Sequence, residues 1–190
     1  MAPVNAVLVP VKAFHDAKLR LSPVLDATER ASLARELAAR VIRAAAPLPV
    51  AVVCDDHDVA AFAESLRASV IWTPGLGLSG AVTAGVEQLA HMGAASVLVA
   101  HGDLVRPQGL GALGTALPVG SVTIVPDRAR DGTNVIAVPA GAGFQFAYGA
   151  GSFRRHCAEA ARLGLETAVL EDPDLSLDVD RPGDLAHLAP

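Results

Sequence analysis

The stretch VAVVCDDHDVAAFAESLRASVIWT, residues 50–73, indicates the class of fold. Its two ends, 50–54 and 70–73, are short apolar runs rich in Val and Ile, which are typical of buried strands. Residues 59–68 between them fit a helix with polar residues at its boundaries. A strand, a helix and a second strand in this order predict two parallel strands in one sheet.

The same alternation continues along almost the whole chain. Further strands are predicted at 6–11, 96–100, 122–126 and 135–138, and further helices at 28–46, 81–92, 107–117 and 153–163. Asp26 and Glu29 are spaced as in a capping box at the start of the first of these helices. Its apolar stripe consists of Leu33, Leu37, Val41 and Ile42. We therefore expect one α/β domain, residues 1–190, with a mainly parallel sheet and helices on both faces.

Composition supports this fold class and excludes some partners. Hydrophobic residues make up 52% of the chain and aromatic residues 4%, so the core is expected to contain small aliphatic side chains. The net charge is -5 and the 15 Lys and Arg are scattered apart from one early cluster, so no nucleic-acid partner is expected. Cys54 and Cys157 have no zinc-ligand spacing and are interpreted as packing thiols.

Neither a membrane span nor a signal peptide is predicted. No run approaches the roughly 20 apolar residues that cross a bilayer. Residues 1–5, MAPVN, lack the charged and apolar regions of a signal peptide. We therefore expect a cytoplasmic protein without a membrane partner, and a homodimer is left open.

Three cations follow the first predicted strand. Lys12 comes directly after it, and Lys18 and Arg20 lie in the polar stretch before the first long helix. Ligands of such sheets bind beyond the carboxyl ends of the strands. Ammonium and guanidinium groups at that position suit a polyphosphate, whose charge must be neutralised at several oxygens. A solvated loop with ordinary surface charges is the alternative.

Three acids are candidates for holding a divalent metal. Asp103 follows the strand predicted at 96–100, and carboxylates at such a position are natural ligands of Mg²⁺. Asp178 and Asp180 alternate with apolar residues, so an extended backbone would point both to one side. Two like charges on one face repel unless a cation lies between them. A turn or helix-cap role for Asp103 and a solvated edge for the other two are the alternatives.

Three glycine-containing segments are candidates for binding anions. Thr133 follows Asp-Gly before a strand, and Gly149 and Ser152 precede a helix, where N–H groups and a hydroxyl can meet a phosphate. Ser79 and Gly80 also open a predicted helix and are candidates for cradling a nucleotide. For both helix starts, a plain N-cap is the alternative.

No nucleophile or histidine base is predicted. No Ser stands in a nucleophile-elbow sequence, and the six histidines show no constellation. His101 and His156 lie beside candidate segments. A transfer that depends on metal and phosphate positioning needs no histidine base.

Taken in order, these segments resemble the guanylyltransferases of coenzyme F420 biosynthesis, which act on 2-phospho-L-lactate or phosphoenolpyruvate. The resemblance spans nearly the whole chain. Its segments are Pro10-x-Lys12, Ala17-Lys18-x-Arg20-Leu21, Gly102-Asp103-Leu104, Gly132-Thr133-Asn134, Tyr148-Gly149-x-Gly151-Ser152-Phe153 with His156, and Leu177-Asp178-x-Asp180 before Pro182. It implies a mixed, Rossmann-like sheet in one domain, the nucleotidyltransferase fold of the glycosyltransferase-A type.

The resemblance also implies a reaction. Members of this family bind GTP with Mg²⁺ and transfer GMP to a small phosphorylated acid with loss of pyrophosphate. Phosphoenolpyruvate is the favoured acid here, with 2-phospho-L-lactate second and 3-phosphoglycerate third. Carried over residue by residue, the triphosphate would meet Lys12, Lys18 and Arg20, which with Asp103 are the expected catalytic residues. The metal would be held by Asp103, Asp178 and Asp180, and the acid by Thr133, Gly149 and Ser152.

Two segments depart from the pattern of the family. Ser79-Gly80 follow Gly-Leu where the family usually reads Gly-Leu-Asn, a change that would alter a contact to the ribose or base. His101-Gly102-Asp103-Leu104-Val105 replaces the commoner Pro-Ala-Asp-Leu-Pro and keeps the Asp. A glycosyltransferase that uses a nucleotide sugar is the alternative function, because it shares the fold and the paired acids but releases no pyrophosphate.

Overall fold

Seven strands form one sheet in the part of the chain that the computed structural model describes, residues 4–188. The strands are β1 (Val4–Pro10), β2 (Val50–Cys54), β3 (Ser69–Trp72), β4 (Ala94–Ala100), β5 (Val122–Pro126), β6 (Thr133–Pro139) and β7 (Thr167–Val169). Their order is β3-β2-β1-β4-β6-β5-β7. The predicted domain, residues 1–190, also includes residues 1–3 and 189–190, which lie outside the described residues. The first three of these belong to the segment that was examined for a signal peptide.

Strand direction follows the prediction of a mixed, mainly parallel sheet. The pairs β1/β2, β1/β4, β2/β3 and β5/β7 are parallel. Only β6 among the described strands runs the other way, antiparallel to both β4 and β5. The sequence order reverses at β1, whose two neighbours are β2 and β4. A cleft is expected at the carboxyl ends of strands at such a reversal.

Helices cover both faces of the sheet, as predicted. They are α1 (Ala27–Ala44), α2 (His57–Ser65), α3 (Gly77–His91), α4 (Leu110–Thr115) and α5 (Ser152–Arg162). Side chains alternate along β1, so that Val7 and Val9 pack with α1, α2 and α4, while Ala6 and Leu8 pack with α3 and α5. No helix among the described residues is long and apolar enough to cross a membrane.

The ends of several elements differ from the sequence prediction. The capping box of α1 is confirmed, since Asp26 and Glu29 each accept a hydrogen bond from the other's backbone N–H. Helix α3 begins four residues before the predicted start, and α4 is shorter than the predicted 107–117 because it is rich in glycine, which disfavours a helix. Strand β7 was not predicted, since its three residues are too few to form a pattern.

Candidate active site

Three carboxylates meet beyond the carboxyl end of β4. Asp103 follows that strand, and Asp178 and Asp180 arrive on a late segment of the chain. This segment is tied to the Asp103 loop by an antiparallel bridge between Leu104 and Asp178, and the Val179 N–H donates to the Asp103 carbonyl at 3.3 Å. One carboxylate oxygen from each acid lies within 4.8 Å of the other two. The fold therefore brings together all three acids that the sequence suggested for a metal.

Two of the predicted cations lie against these acids. Lys18 Nζ donates to Asp103 Oδ2 at 2.6 Å and to the Val179 carbonyl at 2.5 Å, and the Lys18 side chain is 7% exposed. Arg20 forms an ion pair with Asp180, and its side chain is 69% exposed. The alternative of an ordinary solvated loop is therefore wrong for Lys18, whereas Arg20 does lie at the surface.

The pKa values of the acids reflect this uneven pairing. Burial acts to raise the pKa of Asp103, but the charge and hydrogen bond of Lys18, together with His101, outweigh burial and hold that pKa below its usual value. Asp178 accepts from a neutral partner, the Asn134 amide, at 3.3 Å. Burial first, and then the charge of Asp103, raises the pKa of Asp178 to about 6. The ionised form of Asp178 is therefore less favourable than that of an exposed carboxylate, and a further positive charge would stabilise it.

We predict that Asp178→Asn stabilises the metal-free protein above pH 6. The carboxyl has a pKa of about 3.9 in an unfolded chain and of about 6 in the folded protein. The stability that its proton provides is therefore complete below about pH 4 and is lost as the pH rises through about 6. Above that pH, Asn removes a buried charge, and the free energy of unfolding should rise by on the order of 1–2 kcal/mol.

Urea denaturation in EDTA, near pH 4 and near pH 8, measures this effect. The control is Asp174→Asn, because the Asp174 carboxylate is 55% exposed and pairs with Arg106 at 3.5 Å away from the acids. Asp178→Asn should gain stability only at the higher pH, and the control at neither. An equal gain at both pH values would contradict the prediction.

The acid cluster, which comprises Asp103, Asp178 and Asp180, fits a hard divalent cation. Asp103 Oδ1 is buried and has no hydrogen-bond partner among the described residues. Lys18 and Arg20 set two positive charges against three carboxylates, so the fully ionised cluster keeps an excess of one negative charge. Carboxylate oxygens are the ligands that Mg²⁺ prefers. A free buried acceptor atom and surplus negative charge are what a site for this ion requires.

Two clefts meet at the acid cluster. The first cleft, of about 510 Å³, is lined by residues after β1, β2 and β3. The second cleft, of about 830 Å³, is lined by the turn before β6, the loop before α5 and the late acidic segment. Both clefts are lined by Leu78, His101, Asp103 and Asp180. Two ligands that occupied these clefts would therefore face each other across the acids.

The predicted triphosphate-binding cations are divided between the clefts. Lys12 and Lys18 line the first cleft, and Arg20 lines the second. Lys12 Nζ donates to the Asp16 carbonyl at 3.5 Å, and Lys12 is exposed. Positive charge is thus available on both sides of the acids, with one flexible ammonium free to follow a ligand in the first cleft.

Ser79 and Gly80 line neither cleft. Both lie in the first turn of α3, and Ser79 Oγ accepts a hydrogen bond from the Tyr148 N–H at 2.9 Å. Their neighbours Gly77 and Leu78 line the first cleft instead. The structure therefore gives Ser79 a contact to the loop before α5, while its predicted role in nucleotide binding stays a prediction.

The three residues predicted to hold the acid lie together. Thr133, Gly149 and Ser152 all line the second cleft. The N-cap of α5 is Gly151, whose φ of 73° favours glycine, and Ser152 is the first helical residue. The alternative that Ser152 serves as the N-cap is therefore wrong. Ser152 is 1% exposed in a position where its side chain does not cap the helix.

The backbone N–H groups at the start of α5 already have partners. Gly151 donates to Asp131 Oδ1 at 3.0 Å and Phe153 to the Asp131 carbonyl at 3.0 Å. Ser152 donates to the Gly149 carbonyl at 2.9 Å. The expectation that these N–H groups receive an anion is therefore wrong for all three. The contacts predicted for an anion in the second cleft are therefore those of the side chains that line it.

Three residues of the site had no assigned role in the sequence prediction. The Asn134 amide donates to Asp178, and His156 lies 3.0 Å from Thr133 Oγ1. Tyr148 lines the second cleft, and its hydroxyl is buried without a partner among the described residues. Burial raises the pKa of Tyr148, so the hydroxyl keeps its proton. The i, i+4 spacing of Ser152 and His156 was a signal that both lie on one face of a helix.

Comparison with known proteins agrees with this geometry. The mixed sheet with three acids beyond the carboxyl end of β4 fits a nucleotidyltransferase, the class of enzyme that the family and relatives below indicate. Residues 5–189 match the family model described as "Guanylyl transferase CofC like". The chain belongs to this family.

Individual relatives are also guanylyltransferases by name. The phosphoenolpyruvate guanylyltransferase of Rubrobacter xylanophilus is 35% identical over 187 residues, which cover 95% of this chain and 91% of the relative. The protein of the same name from Sphaerobacter thermophilus is 34% identical and covers 96% of this chain and 91% of its own. A solved structure from Desulfovibrio desulfuricans G20, grouped with the nucleotide-diphospho-sugar transferases, has a TM-score of 0.78 at 21% identity and covers 95% and 84% of the two chains. That last likeness concerns the fold alone.

Proposed function

We propose that this enzyme transfers GMP from GTP to phosphoenolpyruvate with release of pyrophosphate, a reaction of coenzyme F420 biosynthesis. The observation that carries the proposal is the pair of clefts that meet at the acid cluster. A transfer between two phosphates needs both substrates held on opposite sides of one charge-stabilising centre. Phosphoenolpyruvate is the acceptor that the names of the two bacterial relatives give.

The first cleft would hold GTP, with its α-phosphate beside the acids. Lys12 would neutralise the distal phosphates, and Lys18 keeps Asp103 ionised by lowering its pKa. Asp103, Asp178 and Asp180 would hold Mg²⁺, which when bound supplies charge stabilisation to the reacting phosphates. The positive charge of Arg20 lies on the side of the second cleft, where the acceptor would enter.

The second cleft would hold the acceptor through Thr133 and Ser152. One oxygen of its ionised phosphate attacks the α-phosphorus and forms the new P–O bond. The bond from the α-phosphorus to the bridging oxygen of the β-phosphate breaks, and its electron pair leaves with pyrophosphate. Because the nucleophile is already ionised at neutral pH, the chain needs no general base, and its task is positioning and charge stabilisation.

A pyrophosphate-release assay tests the proposal. The protein is incubated with MgCl₂, GTP and one phosphorylated acid. Separate reactions contain phosphoenolpyruvate, 2-phospho-L-lactate or 3-phosphoglycerate. Phosphoenolpyruvate should give the highest kcat/KM, and ATP, CTP and UTP should replace GTP poorly. If no pyrophosphate is released with any of the three acids, the proposed reaction is refuted. Transfer from a GDP-sugar without pyrophosphate would establish the glycosyltransferase alternative.

We predict that Ser152→Ala weakens use of the acceptor and leaves stability almost unchanged. Loss of a hydrogen bond to a charged group is worth on the order of 1.5–3 kcal/mol, so acceptor kcat/KM should fall roughly tenfold or more. Because Gly151 occupies the N-cap, Ser152→Ala removes no helix cap and should cost less folding free energy than the about 1 kcal/mol of a lost cap.

Steady-state kinetics for each substrate and urea denaturation measure the two effects separately. Ser65→Ala is the matched control, because the Ser65 hydroxyl donates to the Phe62 carbonyl at 2.6 Å outside both clefts. KM for GTP should stay constant in both variants. Normal acceptor kinetics in Ser152→Ala would remove this hydroxyl from the binding site.

A further inference from the structure

A chain of hydrogen bonds runs from the loop before α5 through His156 to Thr133. The Ala147 N–H donates to His156 Nε2 at 3.0 Å, and His156 Nδ1 lies 3.0 Å from Thr133 Oγ1. His156 is 0% exposed and Thr133 is 2% exposed. Thr133 lines the second cleft, whereas the lining of that cleft does not include His156. His156 therefore reaches the cleft only through the threonine.

The partner of Nε2 determines the tautomer of the ring. A backbone N–H can only donate, so Nε2 accepts and the neutral imidazole carries its hydrogen on Nδ1. Burial first, and then the Arg155 charge, lowers the pKa of His156 to about 4, although Glu159 acts in the opposite direction. The ring is therefore neutral at neutral pH. Nδ1–H donates to Thr133 Oγ1, and the hydroxyl hydrogen of Thr133 must point away from the ring.

Aromatic side chains hold the ring in this orientation. The rings of Phe144, Phe146 and Tyr148 lie around His156, with centroids 6.0, 6.0 and 4.9 Å from its own. Tyr148 and Phe146 meet it edge-on, at 77° and 75°. A ring packed in this way has little freedom to turn its Nδ1–H away from Thr133.

We propose that His156 is a positioning residue, which turns the hydroxyl hydrogen of Thr133 into the second cleft so that it donates to an anionic oxygen of the acceptor. This inference rests on the proposed function, in which the acceptor occupies that cleft. One lone pair of Thr133 Oγ1 accepts from His156 Nδ1–H, so the hydroxyl hydrogen points away from the ring and is available to a ligand in the second cleft. An anionic oxygen can accept from this hydroxyl.

Two amide variants of His156 separate positioning from packing. In His156→Asn, the side-chain nitrogen replaces Nδ1 and keeps a donor for Thr133. In His156→Gln, the longer amide replaces Nε2 and keeps an acceptor for the Ala147 N–H, but no donor reaches Thr133. Both variants lose the imidazole ring, so thermal melting of each measures the cost of lost packing. Thr133→Val, close in shape to threonine without the hydroxyl, provides the reference for a lost donor.

Calorimetric titration with phosphoenolpyruvate in MgCl₂ is the main measurement, because it requires no turnover. Dissociation constants should rise roughly tenfold in His156→Gln and in Thr133→Val, and less than about threefold in His156→Asn. The double variant Thr133→Val/His156→Gln should bind no more weakly than Thr133→Val alone. Affinity for GTP should be the same in all variants. Long-range ¹⁵N spectra of the wild type should show the Nδ1–H tautomer at neutral pH.

Other outcomes would overturn the inference. Equal phosphoenolpyruvate affinities in His156→Asn and His156→Gln, additive effects in the double variant, or an Nε2–H tautomer would each do so. The proposed reaction fails separately. If the variants follow the expected order but no pyrophosphate is released, the positioning role stands and the reaction is refuted. If pyrophosphate release is normal and the two amide variants bind alike, the reaction stands and the positioning role is refuted.

Discussion

Asp180→Asn is expected to lower kcat by about 10²- to 10³-fold while the protein stays folded. The Asp180 side chain is 46% exposed, against 24% for Asp103, so the loss of its charge should cost little folding free energy. Asp180 nevertheless borders both clefts. Charge stabilisation of reacting phosphates by a bound metal is worth several kcal/mol, and about 1.4 kcal/mol is a factor of ten in rate.

The measurement is kcat over a range of Mg²⁺ concentrations, with urea denaturation beside it. Asp174→Asn is again the matched control, since Asp174 also pairs with an arginine and is similarly exposed. The control should keep normal kcat. If Asp180→Asn turns over normally at saturating Mg²⁺, Asp180 holds no metal. If both variants lose activity equally, the effect of Asp180 is a general effect of charge.

The sheet could be predicted because its strands are apolar on both faces. Runs such as Val50–Cys54 and Val122–Pro126 lie between two layers of helices, so nearly every residue is buried and the pattern is local. The direction of β6, the one antiparallel strand within residues 4–188, could not be predicted in this way. Residues of β6 are as buried as those of β4 and β5, and the opposite direction of β6 depends on its long-range pairing with these two strands.

The three acids of the cluster could be predicted from the sequence, but their pKa values could not. Alternation of apolar and acidic residues suggested that Asp178 and Asp180 share a side, and the structure places them together. The pKa of Asp178 depends on burial and on Asp103, which is 75 positions earlier in the chain. Spacing along the sequence carries no information on such a contact.

The burial of Lys18 also could not be predicted from the sequence, because it depends on long-range contacts. A lysine in a polar stretch is ordinarily solvated, and nothing in the residues around Lys18 predicts a side chain that is 7% exposed. Lys18 has a φ of 56°, an uncommon conformation for a residue with a side chain. This backbone conformation accompanies a side chain that reaches Asp103 and the Val179 carbonyl. The pairing requires segments 85 and 161 positions away, which only the folded chain brings close.

The Lys18–Asp103 pair leads to the other large expected effect. Lys18→Met leaves the Asp103 carboxylate largely buried without its cation, and Asp103→Asn leaves the Lys18 ammonium buried without its anion. Removing one partner of a buried ion pair costs about 3 kcal/mol, so each single variant should be clearly destabilised. The double variant Lys18→Met/Asp103→Asn leaves no unpaired charge. It should therefore recover most of the lost stability and still lack activity.

A double-mutant cycle measures this coupling. Free energies of unfolding in EDTA are determined by urea denaturation for the wild type, both single variants and the double variant. A coupling free energy of about 2 kcal/mol or more is expected, because each single variant creates an unpaired charge that the double variant avoids. The exposed pair of Arg106 and Asp174, treated in the same way, should couple by less than about 1 kcal/mol.

The pH dependence of stability gives an independent check. Without the Lys18 ammonium, burial is left to raise the pKa of Asp103, so Lys18→Met should regain stability as the pH falls through that raised pKa. Additive losses in the cycle and a flat pH profile for Lys18→Met would mean that the two side chains do not depend on each other in solution.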